Sequence, residues 1–380
     1  MNSAGKTISL EMVDLVRQYQ RLRKEIDPAV NAVMEQAAYI NGPEVSLFAM
    51  ELAHYLNTPH VIACANGTDA LQLALMALEL EPGDEVITSS FSFVASAEVI
   101  ALLGLKPVFA DVCPDTYNIC PEHVEKLITE RTRVILPVHL FGQAANMQAL
   151  MQIANRHSLY VVEDVAQSFG AEYLYEDANR KLGTIGHIGC TSFFPSKNLG
   201  CFGDGGACYT SDDTLAEKIR IIASHGSSKR YFYDCVGVNS RLDTLQAAIL
   251  RVKLPYLDEF IRARENIAGI YNHLLVNVDG LKLPAVQSGA THTFNQYTIR
   301  VMSDRRNELM LHLERAGIPS RVYYPKPLHR QKAFAKFIDD DTKCPAAEML
   351  CNEVLSIPVH PDMTVQEATY VAETLKCLFK

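Results

Sequence analysis

The chain has 380 residues, past the roughly 250 to 300 at which a single core stops growing, so two domains are expected. Hydrophobic residues at 48%, charged residues at 21% and a mean hydropathy of +0.01 match a soluble globular protein and exclude a membrane-spanning one. A net charge of −9 excludes a non-specific nucleic-acid binder while leaving room for a local basic pocket that takes phosphates.

The first twenty residues, MNSAGKTISLEMVDLVRQYQ, contain no apolar core after a basic start, so no secretory signal is expected. RQYQRLRKE, residues 17–25, reads as one solvated helix face. No apolar run approaches the ~20 residues that span a bilayer. The ten cysteines include no C-x-x-C pair and no zinc-finger spacing, so they are expected to be small buried hydrophobes and no metal is expected. Free thiols without an export signal point to a reducing cytoplasm.

From residue 60 to about 210, short apolar runs alternate with helical stretches. The runs are HVIACA, DEVITS, KPVFAD, TRVILPVHL, LYVVEDVA, GCTSFFP and GGACYT; TDALQLALMALEL and SFVASAEVIALLG have helical period. This alternation predicts βαβ units and a mostly parallel sheet covered on both faces. Ligands of such sheets gather at the carboxyl ends of the strands. A long helical pattern over 240–275, interrupted at Pro255, leads out of the sheet domain. A strand in THTFNQYTIRV follows, then a helix in DRRNELMLHLERAG ending at Gly317. RVYYPKPLHRQKAF reads as a loop, and two further helical stretches complete a smaller α+β region. The expected domains are 1–250, with its N-terminal segment packing on the small domain, and 251–380.

Residues just past the apolar runs are the candidates for chemistry. Asn66-Gly67-Thr68 opens a helix, whose free N–H groups and positive dipole end suit a phosphate; a plain Thr or Asp N-cap fits the same residues. Beside an anion the Asp69 carboxylate is awkward, so its backbone N–H is the expected contributor. Glu163-Asp164 ends a central strand, with Gln167 three residues on. Such an Asp either caps the next turn or faces a cationic ring nitrogen. An Asp for the pyridine nitrogen and a Schiff-base lysine are the pair required by pyridoxal phosphate, and Lys197 follows Asp164 after 33 residues. Ser192 would share the phosphate with the Gly67-Thr68 helix end. Phe93 fits either the face of the ring or the core.

Six segments together resemble the DegT/StrS family of sugar-nucleotide aminotransferases: INGPEVSLFAMELAHYL, ANGTDALQLAL, EDVAQSFGA, TSFFPSKNLG, GDGGA and GVNSRLDTLQAAIL, in that family's order. The resemblance runs from about residue 9 to the C-terminus. It implies the fold-type I α/β architecture of aspartate aminotransferase. It also implies Lys197 as the lysine bound to pyridoxal 5'-phosphate, Asp164 as partner of the ring nitrogen and Gln167 at the ring oxygen. Thr68, Asp69 and Ser192 fall at phosphate positions and Phe93 on the ring. Asn239 matches an asparagine that reaches the phosphate from a partner subunit, implying a homodimer with shared sites. Arg241, Tyr323, Tyr324 and His329 fall where the family meets the sugar nucleotide.

Relatives that dehydrate keto-deoxy sugars carry histidine in place of Lys197, so the lysine implies transamination, with glutamate as donor. The nearest subgroup, the WbpE type, aminates C3 of a UDP-linked 2-acetamido-2-deoxy-3-oxo-hexuluronate for surface polysaccharides such as O-antigen. Arg241 would suit the uronate carboxylate. Asn41, Tyr323 and His329 depart from that subgroup. A dTDP- or UDP-linked keto-6-deoxy sugar aminated at C3 or C4 remains the alternative substrate. A sensor that has kept the fold and lost catalysis is the alternative class.

Overall fold

The computed structural model describes residues 10–339 and 342–379. Residues 1–9, part of the stretch read above as no secretory signal, lie outside the described residues. Two helices come first, α1 (Leu15–Gln36) and α2 (Pro43–Leu56). The sheet region then runs β1 (His60–Cys64), α3 (Gly67–Ala77), β2 (Glu85–Ser89), α4 (Ala95–Leu102), β3 (Lys106–Ala110), α5 (Pro121–Leu127), β4 (Thr132–Leu136), α6 (Met147–His157) and β5 (Tyr160–Asp164). It continues through β6 (Glu172–Tyr175), β7 (Ala178–Lys181), β8 (Ile188–Ser192), β9 (Gly206–Thr210) and α7 (Asp213–Ala223). The remainder is α8 (Thr244–Lys253), α9 (Leu257–Leu275), β10 (Leu281–Lys282), β11 (Tyr297–Val301), α10 (Arg306–Arg315), α11 (Pro345–Glu353), β12 (Val354–Ile357) and α12 (Val365–Phe379).

All seven apolar runs are strands, and they form one sheet of order β1-β9-β8-β5-β4-β2-β3. Only β9 opposes its neighbours; β8, β5, β4, β2 and β3 pair in parallel. Helices bury one apolar cluster on each face, which is why β2 and β9 are buried along their whole length. The shared direction lines up the carboxyl ends of β2, β4, β5 and β8 on one edge.

The second region is a three-stranded antiparallel sheet, β10-β11-β12, packed against α9 and α12 through Tyr271, Tyr297, Ile299, Leu355 and Val371. Leu10 lies in this same cluster, and Arg17 of α1 pairs with Glu367 of α12 at 2.7 Å. At Pro255 the helical pattern turns through a 3-10 segment, Leu254–Tyr256, between α8 and α9. Two elements were not visible in the sequence. The β6–β7 hairpin, EYLYEDANRK, is half exposed and too polar to show an apolar run. The four-residue β12 follows α11 directly, so its apolar residues merge with the helical pattern. The cysteines divide: Cys64, Cys190, Cys201, Cys208, Cys344 and Cys351 are buried as expected, Cys113 and Cys120 are half-buried, and Cys235 and Cys377 are exposed. Among the described residues no helix is long and apolar enough to cross a membrane.

One buried carboxylate ties the layers together. Glu163 in β5 is fully buried and accepts from His139 Nε2 at 2.9 Å and from the amides of Gly183, Ile185 and Gly186 at 2.9, 2.9 and 2.6 Å. Burial pushes its carboxyl up, but His139 and these amides outweigh burial and hold it below the usual range. Glu163→Ala strands four donors and should cost about 3 to 5 kcal/mol, read as a lower thermal midpoint. Because the folded carboxyl titrates low, the gap between wild type and variant should be full at neutral pH. It should shrink as pH falls through the depressed value.

Candidate active site

β5 ends in two acids, and the pleat sends consecutive side chains to opposite faces. Glu163 takes the saturated side. Asp164, 8% exposed, has its main chain fixed by Pro137 O and His139 N, at 2.9 and 3.0 Å. Its Oδ1 accepts from Ala166 N at 3.0 Å. Burial pushes the Asp164 carboxyl up, opposed by the Ala166 amide and by the charges of Lys197 and His139. Lys197 sits in the turn after β8, half-buried. Burial pulls its amine down and Asp164 alone pulls it back. Asp164 is thus the one charged group that acts on the Lys197 amine, whereas the acid itself also answers to the Ala166 amide and to His139.

Gln167 is held in a fixed orientation beside them. Its Oε1 accepts from Phe141 N at 3.0 Å and its Nε2 donates to Tyr324 Oη at 3.0 Å. Phe141 makes this contact from a left-handed conformation, φ 60°, at the carboxyl end of β4. Tyr324 is half-buried, packing edge-on against Phe91 at 6.0 Å, and burial raises its hydroxyl pKa. The loop that carries Tyr324 is tied to the end of β2 by Leu328 N donating to Ser90 O at 2.7 Å.

A cradle lies at the start of α3. The cap is Asn66, whose Oδ1 accepts from Asp69 N at 2.8 Å. This corrects the expected contribution of Asp69, because its N–H is committed to the cap, and it also corrects the Thr or Asp cap reading. The first-turn amides of Gly67 and Thr68 precede the helical ladder and stay available. Ser192, at the end of β8, closes the cradle: a Cβ on Gly67 would lie 2.6 Å from Ser192 Cβ. Gly206 is needed as well, since a Cβ there would fall 2.4 Å from Asn66 O. Helix end, hydroxyl and bare backbone together suit a phosphate.

The other expected residues differ in their exposure. Phe93 is 55% exposed, so the core alternative fails for it. Asn239 and Arg241 are exposed. Tyr323 is half-buried beside Tyr324, their rings 5.9 Å apart. His329 is 2% exposed and pairs through Nε2 with Glu348 at 3.1 Å, leaving Nδ1 buried without a partner. Sequence reading missed His139 and Phe141, and named Asn66 at the helix opening without its role as the cap. His139 lies within the run TRVILPVHL as read, and Phe141 directly follows it, where ligand-facing residues were expected, so position alone could have marked Phe141. Among the described residues no cluster of His, Cys, Asp or Glu could hold a metal ion. A buried acid, an amine with no hydrogen-bond partner among the described residues and a phosphate cradle fit pyridoxal phosphate.

Comparison with known proteins agrees. Residues 20–376 match the model of the DegT/DnrJ/EryC1/StrS aminotransferase family. The chain is 46% identical over 352 residues to a UDP-2-acetamido-2-deoxy-3-oxo-D-glucuronate aminotransferase of Pseudomonas aeruginosa, covering 93% of this chain and 95% of that one. The crystal structure of S. venezuelae DesV in complex with a ketimine intermediate aligns with a TM-score of 0.94 at 39% identity, over 98% of this chain and 99% of that one. NtdA from Bacillus subtilis, with bound PMP, aligns at 0.92 and 31% identity, over 100% and 87%. The chain belongs to the DegT/DnrJ/EryC1/StrS aminotransferase family, with the fold-type I architecture and the pyridoxal phosphate dependence of that family.

Proposed function

We propose that this enzyme moves an amino group from glutamate to C3 of UDP-2-acetamido-2-deoxy-3-oxo-glucuronate, in the cytoplasm, for a bacterial surface polysaccharide of the O-antigen kind. The observation that carries amino transfer is that buried Asp164 ends β5 while Lys197 follows the adjacent parallel strand β8, next to the Gly67–Ser192 cradle. Extended similarity to the P. aeruginosa enzyme named for that sugar supports the substrate.

When bound, pyridoxal phosphate supplies an aldehyde that carries nitrogen and a ring that withdraws electrons from the neighbouring carbon. The Gly67 and Thr68 amides and the Ser192 hydroxyl would hold its phosphate, and Phe93 would cover the ring. Asp164 would face the ring nitrogen, where a cation would offset the burial that otherwise raises this carboxyl. Gln167, fixed by Phe141 and Tyr324, presents its amide to the ring oxygen. Lys197 Nζ takes the proton from the donor's α-carbon and delivers one to C3 of the sugar.

The active form is a homodimer with shared sites. Exposed apolar side chains support this: Tyr231, Phe232, Tyr233 and Val236 precede Asn239, and Phe93 and Phe194 flank the site. Asn239 and Arg241 then reach the neighbouring subunit's cofactor and the uronate carboxylate, and Tyr323, Tyr324 and His329 border the sugar. The division at 250/251 into a cofactor domain and a small domain belongs to the same proposal.

Assays with glutamate and a panel of UDP- and dTDP-linked keto sugars test the substrate. Turnover of the UDP-uronate is expected; turnover of a dTDP-6-deoxy sugar alone would overturn it. A visible absorbance that glutamate fails to bleach would instead favour a sensor. Arg241→Ala should raise KM for the uronate roughly 10- to 100-fold with kcat little changed, because it removes a bidentate charge-assisted contact. Lys197→Ala should lower kcat by roughly a thousandfold. Uptake of pyridoxal phosphate by apoprotein needs the free-base amine, so its rate should climb as pH rises through the depressed Lys197 pKa. Asp164→Asn removes the one group that pulls this pKa up, so stopped-flow profiles should show the rise displaced to lower pH.

A further inference from the structure

Behind Lys197 lies a second lysine that no step above uses. Lys253, the last residue of α8, is 1% exposed. Its ammonium donates to Gly200 O and lies 5.6 Å from the centroid of the Phe202 ring. Burial pulls its pKa down to about 8, against weaker pulls from Cys201 and Asp362. A buried cation held by a carbonyl and an aromatic face is costly, and a methionine would fill the space without that desolvation.

What the ammonium grips is the turn that carries Lys197. The turn closes on itself: Cys201 N donates to Phe193 O at 2.8 Å, and Lys197 N donates to Phe194 O at 2.8 Å. Gly200 packs so tightly on the incoming strand of the turn that a Cβ would fall 2.3 Å from Pro195 O. Gln246, two turns earlier on α8, accepts from Phe202 N at 2.8 Å. Tyr19 of α1 adds an edge-on contact to Phe202, ring centroids 5.8 Å apart. One helix thus fixes the turn at two points shortly after the lysine that faces Asp164.

We propose that Lys253 is a positioning residue for Lys197: through Gly200 and Phe202 it fixes the turn from which the Lys197 amine meets Asp164. The proposal rests on the role given to Lys197 above.

The test compares wild type with Lys253→Met and with Gln246→Ala, which loosens the same turn without altering a buried charge. Rapid mixing of each apoprotein with pyridoxal phosphate reads the poise of Lys197 without turnover. Both variants should capture the cofactor at least about tenfold more slowly, and their kcat should fall roughly 10- to 100-fold with KM for the sugar nucleotide within about twofold, as expected for a displaced reacting group. Wild-type capture rates and kcat in the variants would overturn the proposal. Should Lys253→Met fail to fold, Gln246→Ala decides alone, with the same two outcomes. A wild-type protein that captures no cofactor would sink the function itself, a result separate from normal variants beside a normal wild type.

Discussion

Two consecutive acids at the end of one buried strand set the terms for this molecule. The pleat forbids Glu163 and Asp164 from sharing an environment. Glu163 meets a histidine and three amides, and is saturated. Asp164 meets one amide on one oxygen and the electrostatic pull of Lys197 and His139. The same strand therefore provides an anchor that ties hairpin to sheet and, one residue later, a carboxylate with capacity to spare. A buried carboxylate left in that condition is costly unless a cation arrives.

His139 links the two acids. Its Nδ1 accepts from Ala145 N at 3.0 Å and its Nε2 faces Glu163, while its own amide donates to Asp164 O. Two residues on, Phe141 turns left-handed to orient Gln167. The carboxyl end of β4 is thus a support for the carboxyl end of β5. Lys197 is held differently, in a closed turn backed by α8, so acid and amine are fixed by separate parts of the fold. Precise placement of both is what a proton-transfer site requires.

Much of this was legible because parallel strands buried on both faces read as plain apolar runs, and the residues after them are few. Lys197, Asp164 and Gln167 came directly from that rule and from the family's motifs. The α3 cap did not. Asn66, Thr68 and Asp69 are all good cap residues, and only the extended backbone of Asn66, φ −167° and ψ 174°, selects one and consumes the Asp69 amide. His329 looked like a loop residue and is buried against Glu348, a partner 19 positions away that no local pattern reveals. Nothing local in the sequence singles out Lys253, because the carbonyl it serves is 53 residues earlier.

The most direct measurement is borohydride reduction of freshly isolated holoprotein followed by peptide mass mapping. The expected result is one stable pyridoxyl-phosphate adduct on the peptide containing Lys197, absent from Lys197→Ala. An adduct on another lysine, Lys253 included, or no adduct in a protein that holds the cofactor, would contradict the assignment on which the rest stands.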